Sequence, residues 1–195
     1  MVHRAEAKGD GAALCRIAFL NVMDGYSGGE IVLKRLIEGI DRGVFDPVVF
    51  TRESRFVKML KCDGCRVVTI PRQYQLKLRR GPGALFSILG NFLVSGKYVR
   101  DMKYRYRVDI IHSNSLTSSI YFAFWAKLFG VGFVAHNHLI REGKIYSVLY
   151  RYIGWCSDRV VCVSEAVKRC WLEAGVPEDK LTVVYNGLPD DFFQH

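Results

Sequence analysis

The chain has 195 residues, half of them hydrophobic, enough for one large α/β domain or two small ones. Its net charge of +9 favours an anionic partner: a phosphorylated substrate, a membrane surface or nucleic acid. The best apolar run, Ala84 to Val94, is too short to span a bilayer and contains Asn91, and the polar stretch from Met1 to Gly11 lacks a secretory h-region, which argues against an integral or exported protein and for a cytoplasmic one.

Residues 1–14 are expected to form a flexible tail. The run Arg16–Val22 predicts the first strand. It breaks into Met23-Asp24-Gly25-Tyr26-Ser27-Gly28-Gly29-Glu30, and an amphipathic helix is predicted over Gly29–Arg42. Adjacent glycines at a helix start leave backbone N–H groups uncovered at the positive end of the helix dipole, which suits a phosphate. The competing reading is a tight turn. The sequence has no Gly-Lys-Ser or Gly-Lys-Thr, and Gly25, Gly28 and Gly29 lack the Gly-x-Gly-x-x-Gly spacing, so neither a P-loop nor a standard dinucleotide fingerprint is present.

A strand follows at Pro47–Thr51, a helix at Ser54–Cys62 and a strand at Arg66–Ile70. Cys62 and Cys65 form a CxxC, but Asp63-Gly64 between them reads as a turn, and no second pair or nearby histidine supports metal or redox chemistry. A long helix is predicted over Leu85–Tyr106. From Pro71 to Arg107 the chain carries Arg72, Lys77, Arg79, Arg80, Lys97, Arg100, Lys103, Arg105 and Arg107 against a single acid, Asp101. Aromatic residues such as Phe86 and Phe92 are interleaved. Arg79, Arg80, Lys103 and Arg105 are therefore candidates for contact with an anionic membrane surface, against the alternative of a solvated helix face.

The next strand, Asp109–Ser113, contains His112, read as structural. Then come a helix at Leu116–Phe129, a strand at Gly132–His136, and a helix at Lys144–Trp155 whose stripe of Ile145, Val148, Leu149, Tyr152 and Ile153 reads as core. Strand Arg159–Ser164, helix Glu165–Ala174 and strand Leu181–Tyr185 complete the series. Runs such as Val160-Val161-Cys162-Val163 are apolar without alternation, the pattern of a parallel sheet covered on both faces. The alternation predicts an α/β fold, a Rossmann-like doubly wound parallel sheet with helices on both faces. In such sheets ligands bind beyond the carboxyl ends of the strands. That rim holds the Gly28-Gly29 turn, Asn114, and His136-Asn137-His138.

Five segments in order carry a family resemblance: Ser27-Gly-Gly-Glu30, Asp109-Ile-Ile-His-Ser-Asn-Ser115, Phe133-Val-Ala-His-Asn-His138, Ser157-Asp-Arg-Val-Val-Cys-Val-Ser-Glu165, and Leu181-Thr-Val-Val-Tyr-Asn-Gly-Leu188 followed by Phe192. Together they resemble the N-terminal, acceptor-side half of GT-B-fold retaining glycosyltransferases of family 4, which build cell-surface glycans. The resemblance implies a nucleotide-sugar donor and a lipid-linked or saccharide acceptor. It implies that His136 contacts the donor sugar and that Gly28 and Gly29 face the donor diphosphate. Ser27, Glu30, Asn114, Asn137 and His138 are the further candidates for acceptor or sugar contacts. It also implies no cofactor and no metal, with the leaving phosphate accepting the acceptor's proton; the sequence has no evident Asp-x-Asp motif. Residues 15–188 correspond to the family's first domain, and 189–195 to the start of an inter-domain linker. The C-terminal donor-binding domain is expected to be absent from this sequence, so the expectation is the acceptor-binding half of an enzyme, either a fragment or one subunit of a split transferase, with a non-catalytic binding or regulatory subunit of a split transferase as the alternative. No nucleic-acid-reading motif accompanies the basic charge, which leaves that partner without support.

Overall fold

The computed structural model describes residues 13–22, 27–52, 55–62, 65–70 and 82–187. Most of the expected tail and all of the expected linker lie outside these residues, as do Arg79 and Arg80.

Seven strands form one parallel sheet in the order β3-β2-β1-β4-β5-β6-β7. They are β1 (Cys15–Asn21), β2 (Phe45–Thr51), β3 (Arg66–Thr69), β4 (Ile110–Ser113), β5 (Gly132–Asn137), β6 (Arg159–Cys162) and β7 (Leu181–Val183). Between them lie α1 (Gly28–Gly39), α2 (Arg55–Cys62), α3 (Pro82–Tyr104), α4 (Leu116–Phe129), α5 (Lys144–Cys156) and α6 (Glu165–Glu173). The doubly wound parallel sheet expected from the sequence is present. Several boundaries differ by one to three residues from those expected, two of them for local reasons that the contacts show. Strand β2 begins at Phe45, where Asp46 lies opposite Arg16 and pairs with its guanidinium at 2.6 Å. Strand β6 stops at Cys162, because Ser164 caps α6 by accepting the Val167 N–H at 3.2 Å.

The chain reverses direction across the sheet between β1 and β4. The first two crossovers run one way and the remaining four the other. Right-handed crossovers therefore place the two sets of helices on opposite faces. On one face, Leu33 and Ile37 of α1 and Phe56 and Leu60 of α2 pack with Phe19 and Val49. On the other, α3 to α6 bury a larger core with Leu20, Phe50, Ile111, Phe133 and Val160.

This leaves an asymmetry the sequence did not show. Among the described residues, no helix covers the α1 side of β4–β7. Register pairs Phe19 with His112, His112 with Val134, and His136 with Val161, so these residues share that side. There Val134 and Val161 are half-buried and Arg159, Thr182 and Val184 are exposed, while their neighbours Phe133, Val160 and Leu181 are buried. Strand β6 thus alternates despite its unbroken apolar run.

Candidate functional site

The reversal between β1 and β4 opens a crevice at the carboxyl edge of the sheet, where strand ends diverge and backbone groups stay unpaired. Every candidate described there comes from the end of β1, β4 or β5 and the turn after it.

Asn21 ends β1, fully buried, and its side-chain amide donates to Glu30 Oε1 at 3.2 Å. Ser27 caps α1. Its backbone N–H and its Oγ both donate to Glu30 Oε2, at 2.8 and 2.6 Å. Glu30 is itself buried, at the third position of the helix, where a carboxylate is favoured by the helix dipole. Three residues thus lock the start of α1, with the Glu30 carboxylate engaged in holding the turn.

Gly28 and Gly29 occupy the first two helical positions, whose N–H groups have no acceptor within a helix. Among the described residues, a Cβ built on Gly28 would meet nothing within 4 Å, and one on Gly29 would lie 3.7 Å from Asn114 Nδ2 and 3.8 Å from His138 Cδ2, ordinary contact distances. Neither residue has a positive φ. Neither packing among the described residues nor a left-handed backbone requires glycine at either position.

Asn114 follows β4 and ties the loops together. Its Nδ2 donates to the Gly29 carbonyl at 3.1 Å, which turns Oδ1 toward His138 Nε2, also at 3.1 Å. As the oxygen can only accept, Nε2 of His138 carries the proton. Behind it, Ser113 Oγ lies 2.7 Å from Ser118 Oγ and 2.9 Å from Ser119 Oγ at the start of α4. Asn137 is buried, and its Nδ2 donates to the Leu139 carbonyl at 3.1 Å, fixing the loop after β5.

Three imidazoles lie in a row on the α1 side of the sheet. His136 is 4.2 Å from His138 and 5.2 Å from His112, centroid to centroid, and His112 packs against Phe19 at 5.3 Å. Burial, then the neighbouring His112 and His138, push the pKa of His136 down to about 2. Burial first, then His138, brings His112 down to about 4. His138 is also lowered by burial, opposed by the Glu30 charge. All three are neutral near pH 7. His136 is 5 % exposed, and neither of its ring nitrogens has a hydrogen-bond partner. A buried polar group in this state is costly unless something arrives to pair with it. Among the described residues, no group of His, Cys, Asp and Glu is placed to hold a metal ion.

The His136 ring lines a cleft of about 490 Å³, bounded by Val32, Arg35 and Leu36 of α1 and by Val184, Tyr185, Asn186 and Gly187 after β7. Arg35 closes one end, donating from Nη1 to the Gly187 carbonyl at 2.7 Å. Sequence reasoning missed Val32, Arg35 and Leu36. The signal was available: they fall four, seven and eight positions after Gly28, on the same face of the helix.

The structure thus brings together Ser27, Gly28, Gly29, Glu30, Asn114 and His138, with His136 beside them. The membrane candidates separate from this group. The half-buried Lys103 ammonium donates to the Phe129 carbonyl at the end of α4, where a helix C-terminus offers unpaired carbonyls, and lies over the Tyr104 ring. Arg105 is exposed. No helix among the described residues is long and apolar enough to cross a membrane.

Comparison with known proteins adds the family. The model of Glycosyltransferase Family 4 matches residues 26–192. No curated protein sequence matches the chain. Among solved structures, HepE of Anabaena in complex with UDP and glucose is similar at 17 % identity and TM-score 0.61, over 88 % of this chain and 44 % of that one. A glycosyltransferase from Rickettsia africae is 22 % identical at TM-score 0.61, over 93 % of this chain and 45 % of its own. The fold also extends to a UDP-GlcNAc 2-epimerase from Neisseria meningitidis bound to UDP-GlcNAc, 12 % identical at TM-score 0.59, over 88 % and 46 %. The chain spans less than half the length of each.

Proposed function

The chain belongs to glycosyltransferase family 4 and has the fold of the N-terminal half of a GT-B enzyme, and from that premise we propose that it is the acceptor-side half of a retaining glycosyltransferase. In this reading it moves a hexosyl group from a nucleotide sugar to a lipid-linked or saccharide acceptor in cell-surface glycan synthesis. A donor-binding half, from a second chain or further sequence, completes the cleft. The reading keeps the protein cytoplasmic, peripheral at the inner membrane face, and requires neither cofactor nor metal.

The observation that carries it is the pair of glycines. Glycine in a helix costs about 0.5–1 kcal/mol relative to alanine, and no contact or left-handed backbone among the described residues accounts for that cost at positions 28 and 29. A ligand that must reach the backbone does. Transfer generates negative charge on the leaving diphosphate, and preorganised N–H donors stabilise it more in the transition state than in the ground state. Glu30, Ser27 and Asn21 hold those donors in place, and Asn114 links them to His138.

His136 takes the sugar. A neutral imidazole with both nitrogens unpaired accepts from one hydroxyl and donates to another, orienting the donor ring rather than transferring a proton. The acceptor hydroxyl loses its proton to the leaving phosphate as the glycosidic bond breaks and the new bond forms on the same face. Asn137, exposed Ser27 and half-buried His138 complete the candidate contacts.

The test is turnover of nucleotide sugars by residues 1–195 alone and after addition of the polypeptide that supplies the donor half. The reading expects negligible transfer alone, because both walls are needed to position the reactants, and transfer by the pair. Robust turnover by the single chain contradicts it. A pair that binds but never transfers favours a regulatory or binding subunit instead.

A further inference from the structure

Helices α3, α4 and α5 each join parallel strands, so each runs from the carboxyl edge of the sheet back to the amino edge. Their last turns therefore meet at the end of the molecule opposite the crevice. There Tyr104, Leu128 and Trp155 are 66, 59 and 59 % exposed. Two lysines join them into one surface. The Lys103 ammonium, on the Phe129 carbonyl and over the Tyr104 ring, links the end of α3 to that of α4. The Lys127 ammonium donates to the Trp155 carbonyl at 2.7 Å and lies 4.0 Å from the Trp155 ring centroid, linking α4 to α5. Large apolar side chains held together in water mark an interaction surface, and tryptophan and tyrosine are the residues that anchor protein interfaces.

Beside them the same edge is cationic. The Tyr106 ring carries two guanidiniums, Arg105 at 5.5 Å and Arg66, from the start of β3, at 5.4 Å. Arg107 follows with φ +53°, in a turn closed by the Val108 N–H donating to the Met102 carbonyl at 2.9 Å. Glycine takes that conformation freely and arginine does not, so the turn by itself gives no reason for an arginine here. Arg66, Arg105 and Arg107 are exposed, and among the described residues no carboxylate pairs with them. Three acids where strands begin are already engaged: Asp46 with the Arg16 guanidinium, Asp109 with the Arg16 N–H and Asp158 with the Phe133 N–H.

We propose that this amino edge docks an acidic segment of a partner protein, its carboxylates on Arg66, Arg105 and Arg107 and an apolar side chain against Leu128 and Trp155. A guanidinium stacked on a ring keeps its N–H fork for a carboxylate, which it grips with two parallel hydrogen bonds. A second copy of this chain would bring like charges face to face, so the complementary partner is an acidic one. The surface lies at the far end of the strands from the crevice, and it does not rest on the function proposed above.

Fluorescence anisotropy tests it, with the 195-residue protein and a labelled peptide in which glutamates alternate with leucines. At about 0.15 M salt, where charges are screened beyond about 8 Å, the acidic peptide is expected to bind. The same peptide with glutamine for glutamate should bind at least about tenfold more weakly. Arg107→Gly suits the backbone, so its melting temperature should hold or rise while affinity falls roughly tenfold. Trp155→Ser should lower affinity by a similar factor. Lys97→Gln with Arg100→Gln removes two exposed charges from α3 and should leave affinity within about twofold, which separates a local site from net charge. No binding, an equal loss in the Lys97/Arg100 variant, or unchanged affinity in either Arg107→Gly or Trp155→Ser overturns the proposal. So does tighter binding of labelled oligothymidylate or of phosphatidylglycerol vesicles that is lost in those same two variants, which would give the edge to nucleic acid or lipid. A Trp155→Ser protein that ceases to self-associate yet binds the peptide as before would give it to a second copy.

Discussion

His136 is the residue whose chemistry is most constrained by its surroundings. An unfolded histidine titrates near pH 6.5, while in the fold His112 is held at about 4 and His136 at about 2. Below pH 6.5 the unfolded chain takes up protons that the folded one refuses. The stability these groups contribute is therefore full above pH 6.5 and lost as pH falls, by about 1.4 kcal/mol per pH unit for each histidine. The loss from His112 ends near pH 4, and that from His136 continues toward 2. The melting temperature is expected to drop steeply between pH 6 and 4, and His136→Asn should make that drop shallower by one proton's worth. An identical slope in the variant contradicts a neutral, buried His136. The sequence marked His136 and His138 by their place after a strand, and it read His112 as structural. It did not reveal the three-ring row, because that depends on β4 lying beside β5 in the register that sets His112 opposite Val134.

At the scale of elements, the asymmetric sheet has a measurable consequence. Val160 is fully buried against the helices, while Val161, on the open side, is half-buried. Val160→Thr places a hydroxyl where no partner waits and should cost about 1–3 kcal/mol, whereas Val161→Thr should cost less than about 1 kcal/mol. Urea unfolding midpoints compare the two; equal losses would mean that something covers the open side. Strand and helix order were legible because each element is long, periodic and punctuated. The open half-face was not, because Val160-Val161-Cys162-Val163 reads the same whether or not a helix lies over it. The outer face of α3 was legible only in part. Phe86 and Phe92 both suited an interface on paper, and packing separates them: Phe86 faces water and Phe92 faces Trp125. The contact of Lys103 with the Phe129 carbonyl was not legible, since a carbonyl terminus brought near by tertiary packing leaves no trace in a basic stretch.

At the scale of the molecule, the candidate site lies along one edge of one sheet, and the cleft beside it is bounded by α1 and the segment after β7. That arrangement fits a wall more than an enclosed pocket. The central claim is that the start of α1 faces the leaving diphosphate across that cleft. Its direct test is Gly29→Ala, assayed in the protein joined by its donor half. Among the described residues the added Cβ meets only ordinary contacts at 3.7 and 3.8 Å, so the melting temperature should hold or rise slightly. Turnover should fall on the order of a hundredfold, the loss expected when one preorganised donor to a developing anion is screened. Full turnover in a normally folded Gly29→Ala protein would contradict the claim and return the two glycines to the role of a turn.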